Sequence, residues 1–293
     1  MTGEAAPARS GGGPVATLTG NVPTAMLAFD FDPFLHVGDG VVRWETLGVA
    51  AAIFAALILA GVGARAMDLR ADDLLFVVLG IVPGAVVGGR IGYVLLHPEF
   101  FGAQPGAIVD PSVGSLELGL GVVGGLLTGG IVAALLDGSI GRWLHVAALP
   151  TLVALGAGKL AGVLGGRGQG ATTDGAWATA YLGPGPWGSL GPEVPAHPSQ
   201  LYEGLGTLVV ILIVMAVLAV PGLRRPDGRA FLLGLGLWAI VRIVAASTWR
   251  DPETFGSLRT GQAIAIGILV LSVVGLVVLI VRERPRSSVA TTG

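Results

Sequence analysis

The stretch GQAIAIGILVLSVVGLVVLIV, residues 261–281, contains no Asp, Glu, Lys or Arg and closes with a run of branched aliphatic side chains. A helix of that length rises about 31 Å, the thickness of a bilayer's hydrocarbon core. Six more stretches read the same way, near 46–64, 75–96, 116–136, 143–165, 200–221 and 229–248. The whole composition agrees. Of 293 residues 53% are hydrophobic and only 12% charged, with mean hydropathy +0.79. A water-soluble domain carries about 25% charged residues. This much apolar surface needs lipid as its solvent. The expected fold is an all-α polytopic membrane protein of seven transmembrane helices.

Other classes fall away on composition. A net charge of -2 excludes a strongly basic nucleic-acid binder. The absence of cysteine excludes disulfides, thiol catalysis and thiolate metal sites. The 49 glycines allow close helix approach and non-helical backbone beside a buried site. Residues 1–30, rich in Gly, Ala, Pro and Thr, have no apolar core long enough for a signal peptide. They read as a disordered tail, with the first span as an uncleaved insertion signal and residues 31–283 as one membrane domain. Residues 166–198 are too polar and broken to span, and form a long extracytoplasmic loop between the fourth and fifth helices.

Orientation follows the cations. Arg65, Arg70, Arg142, Arg224, Arg225, Arg229, Arg282, Arg284 and Arg286 fall on one side, whereas the opposite loop 97–115 has no Lys or Arg. The richer side is cytoplasmic, with the N-terminus outside and residues 284–293 as a cytoplasmic tail. Arg43, Arg90, Lys159, Arg167, Arg242, Arg250 and Arg259 then fall near the outer surface. Charges at membrane depth cost a few kcal/mol each unless they face a cavity or a partner. Arg90, Lys159 and Arg242 have apolar neighbours on both sides and fit a cavity that takes an anionic phospholipid headgroup. For Arg43, Arg250 and Arg259, snorkelling to the interface is an equal reading.

The most specific segment is Ala196-His197-Pro198-Ser199-Gln200-Leu201-Tyr202-Glu203. Pro198 suits a helix start and the residues after it set polar groups at the membrane mouth. By themselves they also suit a plain polar helix start with Tyr202 in an aromatic belt. The segment resembles the HPSQLYE motif of the prolipoprotein diacylglyceryl transferase family. Arg43-Trp44, Gly89-Arg90-Ile91-Gly92-Tyr93-Val94-Leu95, Gly124-Gly125-Leu126-Leu127, Arg242, Arg250-Asp251-Pro252 and Gly261-Gln262 are similar to further motifs of that family, in the same order, over about residues 30–281.

Its long signature falls on Gly158–Trp177 with Gly158, Gly170, Thr173, Asp174 and Trp177 kept. Lys159 stands in place of its Arg, Gly162 and Gly165 in place of two Asn, and Arg167 in place of its Glu. Elsewhere Val123 replaces a His, Glu45 a Tyr and Ala246 a Glu.

The resemblance implies transfer of diacylglyceryl from phosphatidylglycerol to the lipobox cysteine thiol of a prolipoprotein, in the bacterial inner membrane and without metal or cofactor. Cations hold the phosphate and a base takes the thiol proton. On this reading His197, Arg242 and Lys159 are catalytic, with Glu45 and Glu203 as alternative bases. Arg43, Arg90, Gln200, Tyr202, Glu203, Arg250 and Gly170 bind substrate. A relative that binds an anionic phospholipid without catalysis is the alternative. A transporter is the third reading, against which stands the lack of half-to-half internal similarity.

Overall fold

The computed structural model describes residues 27–136, 139–191, 194–221, 223–251 and 253–283. Seven helices are long and apolar enough to cross a membrane: α1 (Trp44–Ala66), α2 (Ala71–Leu96), α4 (Leu118–Leu135), α5 (Ile140–Val163), α6 (Ser199–Ala219), α7 (Arg229–Ala246) and α8 (Thr260–Glu283). The protein is a polytopic membrane protein. The sequence-based bounds differ most at the start of α2, which begins at residue 71 rather than 75 because Asp72 and Asp73 occupy its first turn. Carboxylates there complement the helix dipole, so the helix runs past the apolar stretch.

The connections on one face carry structure that apolar periodicity does not show. β1 (Leu27–Phe29) lies parallel to β4 (Thr179–Tyr181), and β2 (Phe34–Val37) pairs antiparallel with β3 (Gly40–Arg43). Short β5 (Glu253–Phe255) and β6 (Leu258–Arg259) precede α8. A short helix α3 (Pro98–Ala103) and a 3-10 turn (Pro105–Val109) follow α2. The long loop between α5 and α6 holds β4. Of the expected tail over residues 1–30, the first 26 lie outside the described residues, as does the tail 284–293; Leu27–Phe29 form β1.

The helices do not pack uniformly. α2 and α4 touch along most of their length through facing glycines. A Cβ at Gly84 would come 2.2 Å from the Gly124 carbonyl oxygen, and one at Gly124 would come 2.1 Å from that of Gly84. In lipid the helices gain from such contact by dispersion rather than by escape from water, so close approach is itself stabilising. The second body is α5, α6 and α7, around a core of Leu152, Val214, Phe231 and Trp238, with Ile268 of α8 and with α1 against α5. Contact between α4 and α5 is slight. The two bodies meet at both ends of the bundle: through a small apolar cluster of Ala64, Val77, Ala133, Trp143 and Val146 at one, and where Glu117 reaches Arg242 at the other.

A candidate anion site at one end of the bundle

Arg242, one turn before the end of α7, is 2% exposed. A guanidinium so deep persists only with partners. It has two carboxylates. Nη1 donates to Glu203 Oε1 at 2.8 Å, and Nη2 donates to Glu117 Oε1 at 2.6 Å. Lys159, four residues from the end of α5, places Nζ 2.9 Å from the other Glu203 oxygen. The Trp249 ring stands 4.6 Å from the Arg242 guanidinium carbon and 5.2 Å from Lys159 Nζ, its π face toward both cations. Two carboxylates and two cations make a quartet of zero net charge.

This quartet meets a polar cavity of about 480 Å³ whose lining includes Glu117, Lys159, Arg242, Gln200, Trp249 and Arg250. Three features mark it as a place for a polar ligand rather than a sealed structural cluster. Lys159 is partly exposed there, its side chain at 24%. Among the described residues, the buried Arg242 Nε has no hydrogen-bond partner, and neither has Gln200 Oε1. Gln200 is aimed by the roof: its Nε2 donates to Tyr181 Oη at 3.1 Å. Burial pushes the Tyr181 phenol up to about 12, against a smaller opposite effect of that hydrogen bond. Tyr181 therefore stays a neutral phenol at physiological pH. Gln169, also at the cavity, is fixed by donating to the Thr179 carbonyl oxygen at 2.7 Å and accepting from Leu190 N–H at 3.0 Å.

The loop between α5 and α6 is thus held over the site by β4 and by Gln169. An aromatic cluster supports it from above. Tyr181 stacks on Phe29 at 5.0 Å and lies 4.9 Å from Trp187, which in turn meets Phe31 edge-on.

The expected site residues divide. Arg242, Lys159, Glu203 and Gln200 come together, with Arg250 at the exposed rim. His197 does not line this cavity: its Nδ1 is 3.3 Å from Tyr202 Oη, and the two rings form an edge-on pair. The helical start at Ser199 puts Gln200 and Glu203 on the inner face and turns Tyr202 away from it. The alternative bases are also engaged. Glu203 has both oxygens beside cations, and Glu45 accepts Arg167 at 3.2 Å. That last pair joins the two positions where the family pattern has Tyr and Glu.

Arg90 and Arg43 hold loops. Arg90 donates to the carbonyl oxygens of Ile108 at 2.7 Å, Val113 at 2.6 Å and Asp110 at 3.0 Å, and to that of Ala107. Within the same loop, hydrogen bonds from the Ser112 hydroxyl and N–H hold Asp110 below the usual carboxylate range. Arg43 donates to the Pro186 carbonyl oxygen at 2.8 Å and lies over Phe34.

Gly170 is a crossing point of backbones. Its N–H donates to the His197 carbonyl oxygen at 2.7 Å, and a Cβ there would sit 2.2 Å from Ser199 Oγ. Glu117 escaped the sequence reading. The signal was present as an acid at the threshold of an apolar span, at the end of the bundle where Arg90, Lys159 and Arg242 also fall.

Known proteins resemble this chain along most of its length. The family model described as prolipoprotein diacylglyceryl transferase matches residues 33–279. Three relatives bear the name phosphatidylglycerol–prolipoprotein diacylglyceryl transferase. That of Anaplasma marginale (strain Florida) is 29% identical over 267 residues, covering 88% of this chain and 92% of its own. That of Geobacter sulfurreducens is 29% identical, covering 86% and 96%. That of Polynucleobacter necessarius is 33% identical, covering 81% and 89%. A family model that matches residues 33–279, on a chain with seven apolar helices, leads to one assignment: this chain belongs to the prolipoprotein diacylglyceryl transferase family.

Proposed function

We propose that this chain is a membrane-embedded transferase that moves the diacylglyceryl group of phosphatidylglycerol onto the lipobox cysteine thiol of a prolipoprotein. The observation that carries the reading is the pair of cations, Arg242 and Lys159, at a polar cavity otherwise set in apolar helices. The donor's phosphate meets Lys159 Nζ and the free Nε–H of Arg242, while Gln200 Oε1 accepts from a headgroup hydroxyl. The thiol sulfur attacks the glyceryl carbon bonded to the phosphate oxygen. A C–S bond forms, the C–O bond breaks, and its electron pair leaves with glycerol phosphate. With the thiol proton finally on that phosphate, the products are a thioether and a glycerol phosphate monoanion, so charge balances. Positive charge fixed where the leaving oxygen becomes negative favours the transition state over the bound lipid.

The polar end of the bundle faces outward in this proposal. Arg65, Arg70, Arg142, Arg224, Arg225 and Arg282 belong to the opposite end, which the positive-inside rule assigns to the cytoplasm. The N-terminus is then outside and the C-terminus inside. The donor comes from the outer leaflet and the acceptor from exported precursors.

The test is transfer of radiolabelled diacylglyceryl from phosphatidylglycerol to a lipobox peptide by purified protein in detergent. Transfer by the wild type and none by Arg242→Ala supports the reading. Binding of phosphatidylglycerol with no transfer under any condition overturns it in favour of a lipid-binding relative. The replacement of family polar groups by Val123, Gly162, Gly165 and Ala246 makes that outcome worth testing for.

A further inference from the structure

We propose that Glu117 is a positioning residue for the transfer reaction: it fixes the Arg242 guanidinium and offsets its charge, so that the phosphate is held firmly enough to react and loosely enough to leave. The inference rests on the transferase reading above. Five contacts carry it. Glu117 is the N-cap of α4, and its side chain accepts from Gly119 N–H and Leu120 N–H, each at 2.7 Å. Its own N–H donates to the Gly89 carbonyl oxygen of α2 at 2.8 Å. Its Cβ and carboxylate lie where any side chain at position 92 would collide, so Gly92 makes room for it. Its Oε1 then receives Arg242 Nη2. The carboxylate is therefore pinned to the backbone of the α2–α4 body and presented across the gap to α7.

Glutamate is an unusual cap. Ser, Asp or Asn reach the same N–H groups with less chain to order. What the longer side chain adds at this position is the contact with Arg242. Three donors converge on this one carboxylate and fix its position, which makes it a good electrostatic anchor. The sum of charges gives the second half of the role. Arg242 and Lys159 are balanced by Glu203 and Glu117, so an arriving phosphodiester meets donors in a neutral setting rather than a charge trap. Only Glu117 of the two carboxylates lines the cavity.

Two variants separate positioning from capping. Glu117→Asp keeps the charge and a good cap but is one methylene short of Arg242. Thermal unfolding in detergent should stay within a few degrees of wild type while kcat falls tenfold or more. Glu117→Gln keeps the length and an oxygen for the cap but leaves the quartet at +1. It should bind phosphatidylglycerol several-fold more tightly, with binding of zwitterionic phosphatidylcholine unchanged, and turn over at least tenfold more slowly.

Wild-type kcat in Glu117→Asp overturns the proposal, as does activity lost only in step with lost folded protein. Phosphatidylglycerol binding unchanged in Glu117→Gln overturns the charge-offset half. If the wild type transfers nothing to any lipobox peptide, the transferase reading fails. The binding comparison between wild type and Glu117→Gln still decides whether Glu117 governs the anion site.

Discussion

Arg242 and Glu203 meet at 2.8 Å, one from α7 and one from α6, and both are almost wholly buried, with Arg242 alone of the two lining the cavity. A buried pair of this kind is a weak source of net stability, because desolvation of two ions consumes most of the attraction. Its position beside an open polar cavity makes function the better account of it. Arg242→Lys tests the geometry of the fork. Lysine keeps the charge and three N–H donors, but all sit on one nitrogen and cannot reproduce the planar fork that reaches Glu203 and Glu117 from separate nitrogens. We expect kcat/KM for diacylglyceryl transfer to fall about 10²-fold or more, the usual cost of losing one transition-state donor. A loss under tenfold would show that charge alone suffices.

His197 and Lys159 make a contrasting pair. His197 turns to Tyr202, outside the cavity, whereas Lys159 faces it. His197→Ala should lower kcat less than about tenfold, and Lys159→Met should lower kcat/KM by about 10² or more. Lys159→Arg, which restores the family's residue, should retain most activity. Initial rates over a range of phosphatidylglycerol concentrations check all three. Loss of about 10³ in kcat for His197→Ala would make His197 the general base after all.

Gly170 predicts a stability effect with no chemistry in it. A methyl group there meets Ser199 Oγ at 2.2 Å and the Thr248 carbonyl oxygen at 2.3 Å, and backbone cannot yield cheaply. Gly170→Ala should destabilise the fold by about 2 kcal/mol, the middle of the range for overpacking. Thermal unfolding in detergent is the readout. An unchanged midpoint would show that the α5–α6 loop shifts without cost.

Tyr181 predicts a pH dependence. Its folded pKa, raised to about 12, exceeds the unfolded value near 10, so the unfolded chain loses the phenolic proton first. Stability is full below pH 10 and falls as pH rises toward 12, by about 3 kcal/mol in all. The midpoint of unfolding should drop over that window in the wild type, and by less in Tyr181→Phe. Equal slopes would remove Tyr181 as the cause.

The seven spans, the family and three of the four members of the quartet were legible in the sequence. Each of those signals is local. A run such as 261–281 announces a span by length and lack of charge, and Arg242 or Lys159 stands out because lipid makes an isolated charge costly. What the chain order leaves open is which charges pair. Arg90 and Arg242 read alike as lone arginines in apolar helices. Only the fold sends one to loop carbonyl oxygens and the other to two carboxylates, because the turn after α2 wraps back over Arg90 while α4 and α6 bring Glu117 and Glu203 to Arg242. His197 shows the same limit in reverse. Its motif placed it beside the site, and the helical phase from Ser199 onward turned Gln200 and Glu203 inward and left His197 with Tyr202. Hydropathy and motif are properties of neighbours along the chain. The pairing of charges is set by helices that meet across the bundle, so it was decided by the tertiary structure alone.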